Sequence, residues 1–136
     1  MHAGRVAANW LSSISELPCQ IDYASEYRYR NPHVDKNSLL INISQSGETA
    51  DTAAALDICK KNKVKTCSIV NAVESTIARN SDWVLPIHAG PEIGVASTKA
   101  FMGQMIVLFI LTLKIAKIRG DIDNISYQNS IKKLRN

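Results

Sequence analysis

The sequence predicts an α/β fold, a parallel sheet covered by helices on both faces in a three-layer α/β/α sandwich. Three observations carry this. Apolar runs of strand length, Ser38–Ile43, Thr66–Val70 and Trp83–Ile87, are separated by helix-like stretches. The runs are apolar rather than alternating, as strands buried on both faces are. From Leu39 to Val70, strand, helix and strand together fill about the thirty residues that a parallel crossover unit needs.

In chain order, Val6, Trp10, Leu11, Ile14 and Leu17 recur at helical spacing, and Pro18 stops that helix. Gln20–Tyr23 reads as a short strand and Ala24–Arg30 as a short helix ended by Asn31-Pro32. After the strand Ser38–Ile43 comes a helix, Thr49–Lys61. Asp51 in its first turn and Lys60 and Lys61 in its last match the helix dipole. The strand Thr66–Val70, a short helix Ser75–Asn80 and the strand Trp83–Ile87 follow. The loop HAGPEIGVAS leads into the longest helix, about Thr98–Ile118, which Gly120 ends. Residues 121–136 read as a fraying helix or a disordered tail. The expected organisation is one domain over 1–119 and a basic tail or linker helix over 120–136.

Composition narrows the class. Apolar residues make up 46% and charged residues 21%, which fits a soluble globular chain. The net charge of +4 has one source: residues 1–113 are balanced, and 114–136 carry six basic against two acidic side chains. A charge excess at one end reads as a solvated tail. Only Tyr127 interleaves the basic residues, so no nucleic-acid partner is expected. Met105–Leu113 is too short to span a bilayer and no N-terminal signal pattern is present, so no membrane partner is expected. Cys19, Cys59 and Cys67, odd in number and without a CxxC pair, read as small buried thiols of a reducing, cytoplasmic compartment. His2, His33 and His88 share no ligand spacing, so neither a metal nor another cofactor is expected. Glu92, a tempting general base, reads as a solvated loop carboxylate.

Two loops carry chemistry. In parallel sheets ligands sit beyond the carboxyl ends of the strands, near helix N-termini. SQSGET, residues 44–49, lies at such a place. Ser44, Ser46 and Thr49 offer hydroxyls, Gln45 an amide, and Gly47 permits a tight turn. The first N–H groups of the next helix lack intrahelical partners and favour an anion. With no lysine or arginine the loop is not a Walker motif, and a neutral cradle suits a phosphomonoester held reversibly. Glu48 and Asp51 must then radiate outward. The plainer alternative is a simple N-cap by Ser46 or Thr49. The second loop, Gly90 to Thr98, presents Ser97 either as an N-cap or as the far wall of the same pocket.

Three stretches, YASEYRYRNP, SLLINISQSGETADTAAAL and HAGPEIGVASTKAF, closely resemble the glucosamine-6-phosphate synthase family, the isomerising glutamine–fructose-6-phosphate aminotransferases. The similarity runs from about His2 to Arg119 and falls on the first of that family's two sugar isomerase (SIS) domains. The resemblance implies that Ser44, Gln45, Ser46 and Thr49 bind the phosphate of fructose 6-phosphate or glucosamine 6-phosphate, and that Val95 and Ser97 line the sugar. It also implies a homodimer in hexosamine biosynthesis. The family's Cys-Gly-Thr-Ser strand, its glutaminase cysteine and the acid, base and lysine of its second SIS domain do not match residues here. The expectation is therefore a SIS domain lacking its first strand, without catalytic residues of its own, inactive alone and self-associating through an open sheet edge or the apolar face of the long helix. Other readings are a phosphosugar-sensing SIS domain of a transcription regulator and a non-binding dimerisation remnant.

Overall fold

The computed structural model describes residues 2–30, 32–90 and 98–135. Its elements are α1 (His2–Ser15), α2 (Ala24–Tyr27), β1 (Leu39–Ser44), α3 (Ala50–Lys61), β2 (Lys65–Val70), α4 (Thr76–Asn80), β3 (Trp83–Pro86), α5 (Lys99–Arg119) and α6 (Asn124–Arg135). They fall into two compact units, Asp22–Gln104 and Met1–Ile21 with Met105–Asn136.

The first unit holds the sheet, in order β1-β2-β3 with both pairings parallel. Ser44, Val70 and Pro86 lie in register, so the three strands end along one edge. Side chains alternate along a strand, so Leu40 shares a face with Val70 and Val84. On that face Leu56 of α3 and Ile77 and Ala78 of α4 close a core with Val70, and Leu40, Ala53 and Val84 pack around it. The same face is polar toward its middle, where Asn42, Thr66 and Ser68 are buried. Asp82 accepts from the Thr66 amide at 2.9 Å and from its hydroxyl at 2.7 Å, and Ser68 meets Ser81 at 2.6 Å. These bonds tie the start of β3 to β2 and satisfy groups whose burial would otherwise be costly.

Two expectations fail in the irregular segment before α2. Gln20–Tyr23 is not a strand. Ile21 and Tyr23 are exposed, and the segment lies outside the sheet, whose described strands are β1, β2 and β3. Cys19, read as a buried thiol, is exposed in the same segment, whereas Cys59 and Cys67 are buried.

In the second unit α1 buries Ala3, Ala7, Leu11 and Ser15, one helical face at every fourth residue. Trp10 meets Phe109 of α5 edge-on at 4.9 Å. On α5, Leu108, Thr112, Leu113 and Ala116 are buried, while Met102, Ile106 and Ile110 form an exposed apolar row. By length and composition alone α5 is long and apolar enough to cross a membrane; core helices of soluble proteins share both properties. Gly120 ends it as expected, with φ +84 and Asp121 N–H returning to the Ala116 carbonyl at 2.9 Å. The segment after it is a helix. Asp123 Oδ1 accepts from Ser126 N–H at 2.6 Å, and Lys117 both bonds Asn124 at 2.6 Å and lies 4.6 Å over the Tyr127 ring.

Candidate functional site

The loop from Ser44 to Thr49 leaves the carboxyl end of β1 and enters α3. Ser44 is buried; its Oγ accepts from Gly47 N–H at 3.0 Å and lies 3.4 Å from Thr49 Oγ1. Ser46 is exposed, and its Oγ accepts from Glu48 N–H at 3.2 Å. A hydroxyl that accepts still has its own proton to donate. The half-buried Gln45 lends its carbonyl to Asn71 N–H at 3.1 Å. Thr49 is the N-cap of α3 by backbone, accepting from Ala53 N–H at 3.0 Å, yet its side chain makes no capping hydrogen bond. The hydroxyls of this loop are therefore not consumed in capping α3, which answers the simple N-cap alternative.

Both carboxylates beside the loop are engaged elsewhere. Glu48 Oε1 accepts from Thr76 N–H at 2.7 Å, at the start of α4, and that bond holds its carboxyl below the ordinary range. Asp51 pairs with Arg28 at 2.7 Å. The outward orientation that an anion site demands of these two residues is present.

Gly47 fixes the loop in place. Its φ is +67, and a Cβ there would lie 1.9 Å from Ser75 Oγ and 2.5 Å from Ser75 Cβ. Its carbonyl accepts from Ile77 N–H at 3.0 Å. The turn thus presses onto the first residues of α4, a contact that the tight-turn reading of Gly47 did not contain.

Sequence reasoning missed Asn71. It directly follows β2, and besides its bond to Gln45 it binds the second loop: Oδ1 accepts from Ala89 N–H at 2.9 Å, and Nδ2 donates to the Gly90 carbonyl at 2.8 Å. The available signal was an amide residue placed immediately after an apolar central strand. Val95 and Ser97, the expected sugar-lining residues, and Glu92 lie outside the described residues. The structure therefore brings Ser44, Gln45, Ser46 and Thr49 together in one turn and adds Asn71 beside them.

A polar, cation-free turn at the carboxyl end of a parallel strand leads straight into a helix N-terminus, and the family model for the SIS domain matches residues 1–114. The chain belongs to the SIS domain family. Its α/β sandwich around a parallel sheet is that family's fold. This SIS domain is 50% identical over 133 residues to the glutamine–fructose-6-phosphate aminotransferase [isomerizing] of Bradyrhizobium diazoefficiens, an alignment covering 98% of the chain and 22% of that enzyme. The C-terminal domain of glucosamine-fructose-6-phosphate aminotransferase from Francisella tularensis superposes with a TM-score of 0.93 at 42% identity, over 98% of the chain and 38% of that structure. The NanR protein of Vibrio vulnificus, solved in complex with ManNAc-6P, has a TM-score of 0.71 at 18% identity over 98% of the chain and 49% of its own; this likeness carries the fold alone. The SIS domain thus spans about a fifth of the curated enzymes it resembles.

Proposed function

We propose that this SIS domain binds a sugar phosphate, fructose 6-phosphate or glucosamine 6-phosphate, as part of an isomerising glutamine–fructose-6-phosphate aminotransferase of cytoplasmic hexosamine biosynthesis. Ser44, Gln45, Ser46 and Thr49 hold the phosphate, and Val95 and Ser97 line the sugar. The observation that carries the reading is the state of the α3 N-terminus: its N-cap side chain makes no capping bond, and both nearby carboxylates are bound to other groups. A helix start in that state favours an anion. The similarity to aminotransferases supports the choice of sugar phosphate among anions. On its own the chain is proposed to bind without turnover, because the residues that resemble the family contribute phosphate and sugar contacts.

Calorimetry of the purified chain tests this. Fructose 6-phosphate should give a saturable heat and fructose none, since the phosphate supplies the contacts. Equal responses to the two sugars would remove the phosphate cradle. The chain is further proposed to form a homodimer, supported by the exposed row Met102, Ile106 and Ile110 on α5. Light scattering at micromolar concentration should give a dimer mass; a clean monomer would refute that part.

A further inference from the structure

We infer that Asn71 is a positioning residue that sets the loop 44–49 and the Ala89–Gly90 segment at a fixed offset, so that a ligand's phosphate and the sugar attached to it are read together. The inference rests on the reading of residues 44–49 as a phosphate cradle. Asn71 follows the central strand, whose last residue Val70 pairs with Ser44 on one side and Pro86 on the other. A residue there can reach both loops, and Asn71 does. Its backbone N–H holds the Gln45 carbonyl, and its side chain holds Ala89 N–H and the Gly90 carbonyl.

The chemistry of the clasp is specific. One planar group must accept from one backbone position and donate to the next, which a carboxamide does and a carboxylate or hydroxyl does less well. The segment it holds needs holding. Ile87 N–H to the Val70 carbonyl, at 2.9 Å, joins this segment to the end of β2. Immediately afterwards His88 and Gly90 take positive φ values of 56 and 68. For His88 that region is intrinsically unfavourable, so the two bonds from Asn71 help to offset it.

The spacing suits the ligand. Neighbouring strands lie about 4.8 Å apart, so the ends of β1 and β3 are roughly 10 Å apart along the edge. A six-carbon sugar phosphate anchored at Ser44–Thr49 would extend along that edge past Asn71, toward Ala89 and Gly90. The two halves of the clasp are also separable. Replacing the side chain leaves the Asn71 N–H bond to Gln45, and hence the cradle, in place.

The experiment is a titration of the isotope-labelled full chain, followed by amide NMR, with inorganic phosphate and with fructose 6-phosphate. In Asn71→Ala, affinity for fructose 6-phosphate should fall about tenfold, because the segment freed from the clasp must be ordered again on binding. Affinity for inorganic phosphate should stay within about twofold, because no phosphate contact is removed. The Ala89 amide, which should shift with fructose 6-phosphate in the parent chain, should cease to do so. A core variant in the other compact unit, Leu108→Val, loses stability and should leave the ratio of the two affinities unchanged. Parental affinities for both ligands in Asn71→Ala would overturn the positioning role and leave the cradle standing. Equal weakening toward both ligands would overturn it as well, by making Asn71 a support of the cradle alone. No response of the Gly47 amide to either ligand in the parent chain would refute the cradle, and the positioning role with it.

Discussion

Helices α3 and α4 begin in equivalent places, each just past the carboxyl end of a parallel strand, and their first turns are treated in opposite ways. At α4 the protein supplies its own partners: Ser75 Oγ accepts from Ala78 N–H at 3.4 Å, and the Glu48 carboxylate accepts from Thr76 N–H at 2.7 Å. At α3 the N-cap Thr49 makes no side-chain capping bond; its hydroxyl meets that of Ser44 at 3.4 Å, and the Ser44 and Ser46 hydroxyls accept from the loop backbone. A helix N-terminus carries a partial positive charge and unpaired N–H groups. At α4 an internal carboxylate meets that demand. At α3 neither the N-cap side chain nor a nearby carboxylate meets it, and the ligand we propose there would. One residue, Glu48, serves both ends, because turning onto α4 also removes its charge from the mouth of α3.

The largest break in this comparison should come from Gly47, which joins the two starts. Gly47→Ala places a Cβ against Ser75 and forces a side chain into positive φ. The conformation costs roughly 1–2 kcal/mol and the overpacking roughly 1–3 kcal/mol. Urea unfolding should therefore show a loss of roughly 2–5 kcal/mol. Gly47→Ala with Ser75→Gly removes the clashing atoms and should recover the packing part only. A loss below about 1 kcal/mol in the single variant would mean that the loop is not locked onto α4.

A second pair of variants separates the two ends by function. Ser75→Ala removes a cap and should cost about 0.5–1 kcal/mol of stability, toward the low end because its bond is long, with phosphate affinity unchanged. Thr49→Ala removes no capping bond, so stability should move by less than about 0.5 kcal/mol. Affinity for fructose 6-phosphate should nevertheless fall about tenfold or more, since a hydrogen bond to a charged group contributes roughly 1.5–3 kcal/mol. Unfolding curves and calorimetry on both variants read the contrast. If Thr49→Ala lost stability and kept affinity, the assignments of the two helix starts would have to be exchanged.

What the sequence disclosed of this arrangement followed what is local in the chain. The alternation from β1 to β3 was legible because strand length, apolar runs and helix dipole charges are properties of consecutive residues; Lys60 and Lys61 do close α3. The hydroxyls of SQSGET were legible for the same reason. The clasp by Asn71 was not, because its partners Ala89 and Gly90 are brought to it only when β3 docks beside β2. The Gly47–Ser75 contact and the turn of Glu48 onto Thr76 were hidden likewise, being closures across the sheet edge. Gln20–Tyr23 misled in the opposite direction. Its residues have strand character, but a strand exists only with a neighbour to bond, and that is not encoded locally. Helix α6 was ambiguous because its stability comes from contacts such as Lys117 over Tyr127 as much as from its own composition.

The smallest effect sharpens the comparison through pH. Glu48 is held below its ordinary value of 4.5 first by the Thr76 backbone N–H, so its folded form favours the ionised carboxylate. A depressed folded pKa stabilises the protein at pH above 4.5, and that contribution disappears as pH falls through the folded value. Glu48→Gln keeps an oxygen for Thr76 N–H and removes the titration. The stability difference between parent and variant should therefore be largest near neutrality and shrink below pH 4.5, as read from urea midpoints. Asp82 and Asp123 are also held low, by Thr66 and Ser126, and they contribute equally to both proteins and cancel. A constant difference across that window would show that the carboxylate charge is not what satisfies α4. The same two proteins can be compared in excess phosphate at neutral pH. Phosphate should stabilise both alike if its site is the proposed one at α3, which leaves the α4 start to residue 48. Stabilisation confined to the variant would show the anion competing for α4, and the division between the two helix starts would fail.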